Sequence, residues 1–354
     1  DGKTYPAGDL APLTQLLGPF PPYTKDPVHP QANTASNLWT TRALLEYLWR
    51  DGVPKYSVLW MSDPDYPQHA SAPGEQAALA GIHDSDASLG RVVAELEKRG
   101  ELEKTDIFVV SDHGFSTCGR TVDTVKYFND HGLSVSTQFI VKPQAGQVMS
   151  VNVGGATGLY VIGHDAAVTA QLVRLLQASD FCGPIFTRAG LPGTFPLQQG
   201  HIDSPGEADI VYSFRWSVEA NSNGTPGLIT SDSNNKSGLG LHGALTPFDL
   251  HNTCVAGGPD IRAGYRNTYP SGNIDVAPTI LHLLGLKQTA GSGSDGRVLA
   301  EALAEAALPN ENPEKREISS SVDLGGGVTW KQVLQTTEFA GKSYVDQGTA
   351  EAVR

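Results

Sequence analysis

Two short segments of this chain pair a carboxylate with an imidazole, and a third supplies an imidazole alone. Asp112 and His113 are adjacent in Val110-Ser111-Asp112-His113-Gly114-Phe115. Asp65 and His69 are separated by three residues in Ser62-Asp63-Pro64-Asp65-Tyr66-Pro67-Gln68-His69, and His242 lies between Leu241 and Gly243. Hard carboxylate oxygens with neutral imidazole nitrogens suit zinc or manganese, and the absence of thiolates among these segments argues against a structural zinc knuckle. Each segment alone is a weak signal, since a lone Asp-His pair is more often a cap or a surface pair. Brought together, such ligands could reach one ion.

The surrounding patterns say where such residues would be placed. Ile107-Phe108-Val109-Val110-Ser111 is a short apolar run bounded by polar residues and reads as a buried parallel strand, beyond whose carboxyl end ligands gather in open α/β sheets. Tyr56 to Met61 reads as a second strand. Glu75 to Arg99 reads as a helix, with Ile82, Leu89, Val93 and Leu96 at helical spacing and Gly100 as its stop. Strand, helix and strand make a right-handed βαβ unit with both strands parallel. A helix is also expected from Thr40 to Arg50, with Leu44, Leu45 and Leu48 on one face and Gly52 after it.

The remainder is looser. The first thirty-odd residues, rich in Pro and Gly, read as irregular surface chain. From 119 to 240 we expect a mixed α/β insertion, with strands at 147–152, 159–162 and 209–213 and a helix over 165–177. A polar Gly-rich loop over 231–240, a buried strand over 252–256 and a helix opened by Asp275-Val276-Ala277-Pro278 follow. The segment 311–354 is polar and weakly patterned, a C-terminal extension strapped over the core. The whole reads as a single domain over 1–354.

At 354 residues the chain can bury a large core. Its net charge of -13 and pI near 5.1 exclude a broad electrostatic grip on nucleic acid, so no stable nucleic-acid complex is expected. A small anionic substrate stays compatible, because a bound dication makes a pocket locally positive. No apolar run approaches the roughly 20 residues that span a bilayer, and no basic-then-apolar leader opens the chain, so a soluble protein is expected. Cys118, Cys182 and Cys254 are too few and too scattered for a disulfide framework or a thiolate zinc site. Cys118 is close enough to His113 in sequence to be weighed as a reactive thiol, and an idle thiol is the simpler reading.

Taken in order, these segments resemble the alkaline phosphatase superfamily, in particular its type I phosphodiesterase and nucleotide pyrophosphatase branch. The resemblance rests on 62–69, on 110–115, on His242-Gly243, and on Gly272-Asn273-Ile274-Asp275-Val276-Ala277-Pro278-Thr279-Ile280-Leu281 with Asp295-Gly296-Arg297 after it. It covers roughly residues 38 to 303. It implies a mainly parallel α/β sheet with helices on both faces, and hydrolysis of a small phosphate ester with two divalent ions, most simply zinc. Asp65, His69 and His242 would hold one ion, and Asp112 and His113 would contribute to the second. An attacking Ser or Thr would form a covalent phospho-enzyme. The motif spacing favours Asp65 over Asp63, which is placed to cap the turn at Pro64.

The family pattern also has a strand-ending metal-binding Asp and a nucleophile ahead of the Asp65 motif. Asp1-Gly2 has no strand before it. Thr34, Ser36, Thr40 and Thr41 have the right order but suit helix capping. The nucleophile and the remaining ligand are therefore expected upstream of Asp1. The competing reading is a non-catalytic metal-binding fragment or degenerate member; within the superfamily, a phosphonate hydrolase, a phosphoglycerate mutase or a sulfatase would use similar ligands. Asp84 and Asp86 read as solvated helix face, His83 and His282 as packing or surface residues. His251 is weighed as a group that orients a ligand, and His201 and Asp203 as residues facing substrate.

Overall fold

In the computed structural model of the chain, residue 4 and residues 6–21, 32–287 and 295–354 are described; Asp1-Gly2 and the Pro-rich stretch over 22–31 lie outside them. The N-terminal region expected to be irregular contains helix α1 (Leu10–Leu17), which buries Leu13. It is tied to helix α2 (Ala32–Arg42) through the Trp39 indole, which donates to the Gly18 carbonyl at 3.1 Å. The helix continues through a π-helical turn, Ala43–Leu48, so the expected helix over 40–50 is the end of a longer one.

After a connecting segment come α3 (Asp65–Ala70) and α4 (Gln76–Arg99), which stops at Gly100 in the left-handed conformation (φ 71°). Lys98 and Arg99 in the last turn complement the helix dipole. Leu44, Trp49 and Leu96 form a small core under these helices, joined by Leu59 and Ile107. The inward face of α4 is shorter than its spacing predicts, since Ile82 is 50 % exposed.

The expected βαβ unit is not formed among the described residues. Strand β1 (Ile107–Val110) is present, but residues 56–61 form no strand: Leu59 packs inward while Tyr56, Val58 and Trp60 stay exposed. The apolar content that suggested a buried strand is thus displayed on a surface.

Beyond β1 the chain builds β2 (Ser116–Val122), α5 (Thr124–Asp130), β3 (Val135–Ser136), β4 (Val148–Asn152) and β5 (Ala156–Val161). Helix α6 (Ala166–Ala178) starts at Asp165, whose carboxylate accepts from the Ala167 and Val168 amides. Then follow β6 (Cys182–Thr187), β7 (Phe195–Pro196), β8 (Ile210–Phe214), β9 (Trp216–Ala220), β10 (Pro226–Asp232) and β11 (Gly240–Leu241). After α7 (Pro247–Leu250), β12 (Cys254–Gly257) and α8 (Val276–Leu283), the chain closes with β13 (Glu314–Gly325), β14 (Val328–Phe339) and β15 (Lys342–Val353).

The strands form sheets ordered β3-β4-β5-β8-β6-β7, β11-β2-β10-β9, β13-β14-β15 and β1-β12. The mainly parallel sheet is realised only in part. Among the described residues β2–β10, β3–β4 and β6–β7 run parallel, and the other named pairs are antiparallel, β1–β12 included. Strand β12, expected to be buried, is largely exposed. Leu159, Leu172, Ile185, Tyr212 and Trp330 share the main core.

The C-terminal segment is a meander of long strands rather than a strap. Polar residues at inward positions hid its alternation: Trp330, Gln332, Leu334 and Thr336 all point into the protein. Gln332 is buried because its amide serves as a strand partner, donating to the Ile185 carbonyl at 3.1 Å and accepting from the Ile185 amide at 2.8 Å. Among the described residues no helix is long and apolar enough to cross a membrane.

One buried polar cluster fastens this meander to the motif at the start of α8. The Arg297 guanidinium forks onto Glu301 at 2.6 and 2.9 Å, and its Nε donates to the Tyr344 hydroxyl at 3.0 Å, which donates in turn to Asp275 at 3.0 Å. The Glu301 side chain is wholly buried and that of Arg297 is 10 % exposed. Removing one partner of such a pair strands the other charge. Glu301→Ala is therefore expected to lower stability by about 3–5 kcal/mol, and an apolar replacement of both residues to restore most of it. Urea unfolding of the two variants checks this.

Candidate metal centre

Asp65 and His69 are one turn apart on α3 and share a face. The His69 Nδ1 lies 3.0 Å from the Gly240 carbonyl oxygen, so Nδ1 carries the proton and the Nε2 lone pair faces Asp65 Oδ2 at 3.5 Å. His113 is arranged alike. Its Nδ1 is 2.9 Å from the Gly114 carbonyl, and its Nε2 is 3.8 Å from Asp65 Oδ2 and 3.6 Å from Asp112 Oδ2. The His242 Nε2 reaches the same Asp65 oxygen at 3.6 Å. Residues distant in sequence thus converge on one carboxylate atom.

The strand pairing brings them there. β11 lies antiparallel to β2, with Leu241 opposite Ser116, which delivers His242 beside the loop leaving β1. The His113 and His242 rings stack with centroids 3.5 Å apart, and the Phe115 ring stands edge-on to His69 and His242 at 5.0 and 5.1 Å. Gly114 must be glycine, because a Cβ there would strike the Phe248 carbonyl oxygen. Gly243 turns with φ 96° in the left-handed region, and a Cβ would lie 2.7 Å from the Val153 carbonyl oxygen.

This arrangement fits a cation. Burial, reinforced by the neighbouring imidazoles of His113 and His69, lowers His242 to about 4, so it is neutral at physiological pH and its lone pair is free. Burial pushes Asp65 up, opposed by His69 and His113. His242 therefore offers no positive charge to balance the partly buried Asp65 carboxylate. A tetrahedral zinc with bonds of about 2.0–2.1 Å sets its ligand atoms about 3.3 Å apart. The separations of 3.5 and 3.6 Å from Asp65 to His69 and His242 are close to that, and ligand atoms of all three lie within 4.8 Å of one another.

Sequence reasoning missed residues beneath the centre. The Asn273 amide donates to the Ser111 and Asp112 carbonyls at 3.1 and 3.0 Å, and Asn252 donates to the Asn273 side chain at 2.9 Å. Asn273 lies in a segment whose apolar helix drew attention first, and nothing in its spacing marks its role. Asp249 is buried under both histidine loops. His251, weighed for such a role, is exposed. His201 and Asp203 are exposed on the connection from β7 to β8.

Asp63 turns inward, 4 % exposed, and is pushed up to about 6 by burial and by Asp84. Thr34 donates to Asp84 at 2.8 Å; Thr40 and Thr41 bond back to their own helix. Cys118 is buried and its thiol is pushed up by burial, consistent with an idle thiol.

Burial also pushes Asp249 up to about 6, against the pull of bonds from Ser116 and Ala244. A folded value above the ordinary one near 4 means that the folded state takes up a proton before the unfolded state does. The stability this contributes is complete below about pH 4 and is lost as pH rises through 6. His242, lowered in the fold, acts in the opposite sense over nearly the same window, so the comparison must be between variants. In metal-free protein Asp249→Asn is expected to remove the falling component between pH 4 and 6. Denaturant midpoints of both proteins across that range measure it.

Comparison with known proteins bears on the family and the fold. A family model described as type I phosphodiesterase / nucleotide pyrophosphatase matches residues 5–243. The chain is 23 % identical to bis(5'-adenosyl)-triphosphatase ENPP4 of Pongo abelii over 243 residues, 68 % of this chain and 46 % of that protein. It is 23 % identical to its Homo sapiens counterpart over 247 residues, 68 % of this chain and 47 % of that protein. The chain spans about half the length of the curated relatives it matches. Murine ectonucleotide pyrophosphatase / phosphodiesterase 5 superposes with TM-score 0.50 at 17 % identity, covering 76 % of this chain and 62 % of that one. The human protein gives TM-score 0.50 at 15 % identity, with 73 % and 60 % covered. At these identities the structural likeness speaks for a shared α/β fold of mixed sheets and helices. The family match spans well over half of the chain, which therefore belongs to the type I phosphodiesterase / nucleotide pyrophosphatase family, within the alkaline phosphatase superfamily.

Proposed function

We propose that this chain belongs to a metal-dependent hydrolase of phosphoric esters, of phosphodiesterase or nucleotide pyrophosphatase type. Asp65, His69 and His242 would hold one zinc-like ion, and Asp112 and His113 would contribute to a second. The observation that carries the reading is the convergence of His69, His113 and His242 on a single oxygen of Asp65. Ions bound there would polarise the phosphoryl oxygens, acidify an attacking hydroxyl and stabilise the leaving oxygen.

The protein's own contribution is arrangement and protonation state. The Gly240 and Gly114 carbonyls fix the tautomers of His69 and His113, and His242 is neutral in advance, so no proton has to leave it when a cation is bound. Phe115 packs edge-on against the His69 and His242 imidazoles. The attacking Ser or Thr would be a residue other than Thr34, Thr40 and Thr41, whose hydroxyls are engaged elsewhere. The curated relatives are named for cleaving bis(5'-adenosyl) triphosphate, which supports a nucleotide ester or anhydride as substrate.

A second reading, metal binding without hydrolysis, draws on the same engagement of those hydroxyls. Zinc titration by calorimetry and hydrolysis of an aryl phosphodiester separate the two. The proposal expects zinc to bind, zinc-dependent turnover that a chelator abolishes, and a loss of zinc affinity of roughly 100-fold or more in His69→Ala, about 2.8 kcal/mol. Bound zinc without turnover favours the second reading. Absence of binding, or turnover unchanged in His113→Ala, contradicts the proposal.

A further inference from the structure

We infer that Asp249 is a positioning residue that clamps the His113 and His242 loops in the register the metal centre requires. Its consequence for metal rests on the proposed function; its geometry does not. The side chain sits on α7, whose first turn is capped by the Thr246 hydroxyl accepting from the Phe248 amide at 3.2 Å, and only 3 % of Asp249 is exposed.

Asp249 alone makes three links. Its Oδ1 accepts from the Ser116 hydroxyl at 2.6 Å, just beyond the His113 loop. Its Oδ2 accepts from the Ala244 amide at 2.9 Å, two residues past His242, and its carbonyl accepts from the Gly114 amide at 2.7 Å. The β2–β11 ladder that joins the same segments ends at the pairing of Leu241 with Ser116. Past that point the His242 turn is held by the Gly155 amide, which donates to the His242 carbonyl at 2.7 Å, and by Asp249. The two imidazoles stack at 3.5 Å, and their register depends on the backbone on either side.

Aspartate suits the role because both carboxylate oxygens are acceptors and both partners here donate. Asparagine can keep the same links, since its Oδ1 can accept from Ala244 while its Nδ2 donates to a reversed Ser116 hydroxyl. Alanine can keep only the backbone link from Gly114. A positional role therefore predicts rescue by asparagine, whereas a role through negative charge does not.

The test compares the unaltered protein with Asp249→Asn, Asp249→Ala and Ser116→Ala by zinc calorimetry and by imidazole proton resonances in metal-free protein. The clamp predicts that Asp249→Ala weakens zinc binding by about 10–100-fold, as loss of outer partners does. It also predicts that the His113 and His242 ring resonances move, and that Asp249→Asn retains both properties. If Asp249→Ala does not fold, Ser116→Ala is expected to shift the same resonances with a smaller loss. Wild-type affinity and ring shifts in the folded alanine variants, or an asparagine variant as impaired as alanine, overturn the inference. If the unaltered protein binds no zinc, the proposed function fails, and the ring resonances alone decide the clamp.

Discussion

A single carboxylate oxygen organises the candidate site: Asp65 Oδ2 has the Nε2 atoms of His69, His113 and His242 at 3.5, 3.8 and 3.6 Å. Partial burial raises the Asp65 value and lowers that of His242, so each effect suppresses charge rather than pairing it. A site built from opposite charges would show the reverse shifts. Imidazole nitrogens gathered around a carboxylate answer to a cation, and much of the nearby structure keeps them gathered.

The supports come from far apart in the chain. The β2–β11 pairing brings His242 to His113, while the Gly240 carbonyl orients His69 from the same short strand. Asn273 holds the Ser111 and Asp112 carbonyls, and Asp275, two residues on, accepts from Tyr344 of β15. Through Arg297 and Glu301 this continues into a buried ion pair. The C-terminal meander is thereby connected to the Asp112 end of the site, and the packing of Trp330 and Gln332 against the main core anchors it.

Much of the candidate site's arrangement was legible in sequence because its spacing is local. Asp65 and His69 are one helical turn apart, Asp112 and His113 are adjacent, and glycine follows both His113 and His242 where backbone approaches closely. Helix α4 was legible for a similar reason: its Lys98-Arg99-Gly100 ending is a local signal. What could not be read depends on partners remote in sequence. Asp249 looks like a lone acidic residue in a short, otherwise apolar helix until Ser116 and Ala244 are seen to bond to it. Gln332 interrupts an alternation that its bonds to Ile185 explain. Residues 56–61 have the composition of a buried strand, but composition carries no information about whether neighbours cover it, and here Trp60 is 69 % exposed.

The most direct test is anomalous diffraction at the zinc edge from crystals of the protein grown with zinc. The account predicts a peak within about 2.0–2.2 Å of an Asp65 carboxylate oxygen and of the Nε2 atoms of His69 and His242. A zinc-loaded crystal with no peak among those atoms, or with its strongest ordered zinc held by other residues, would contradict it.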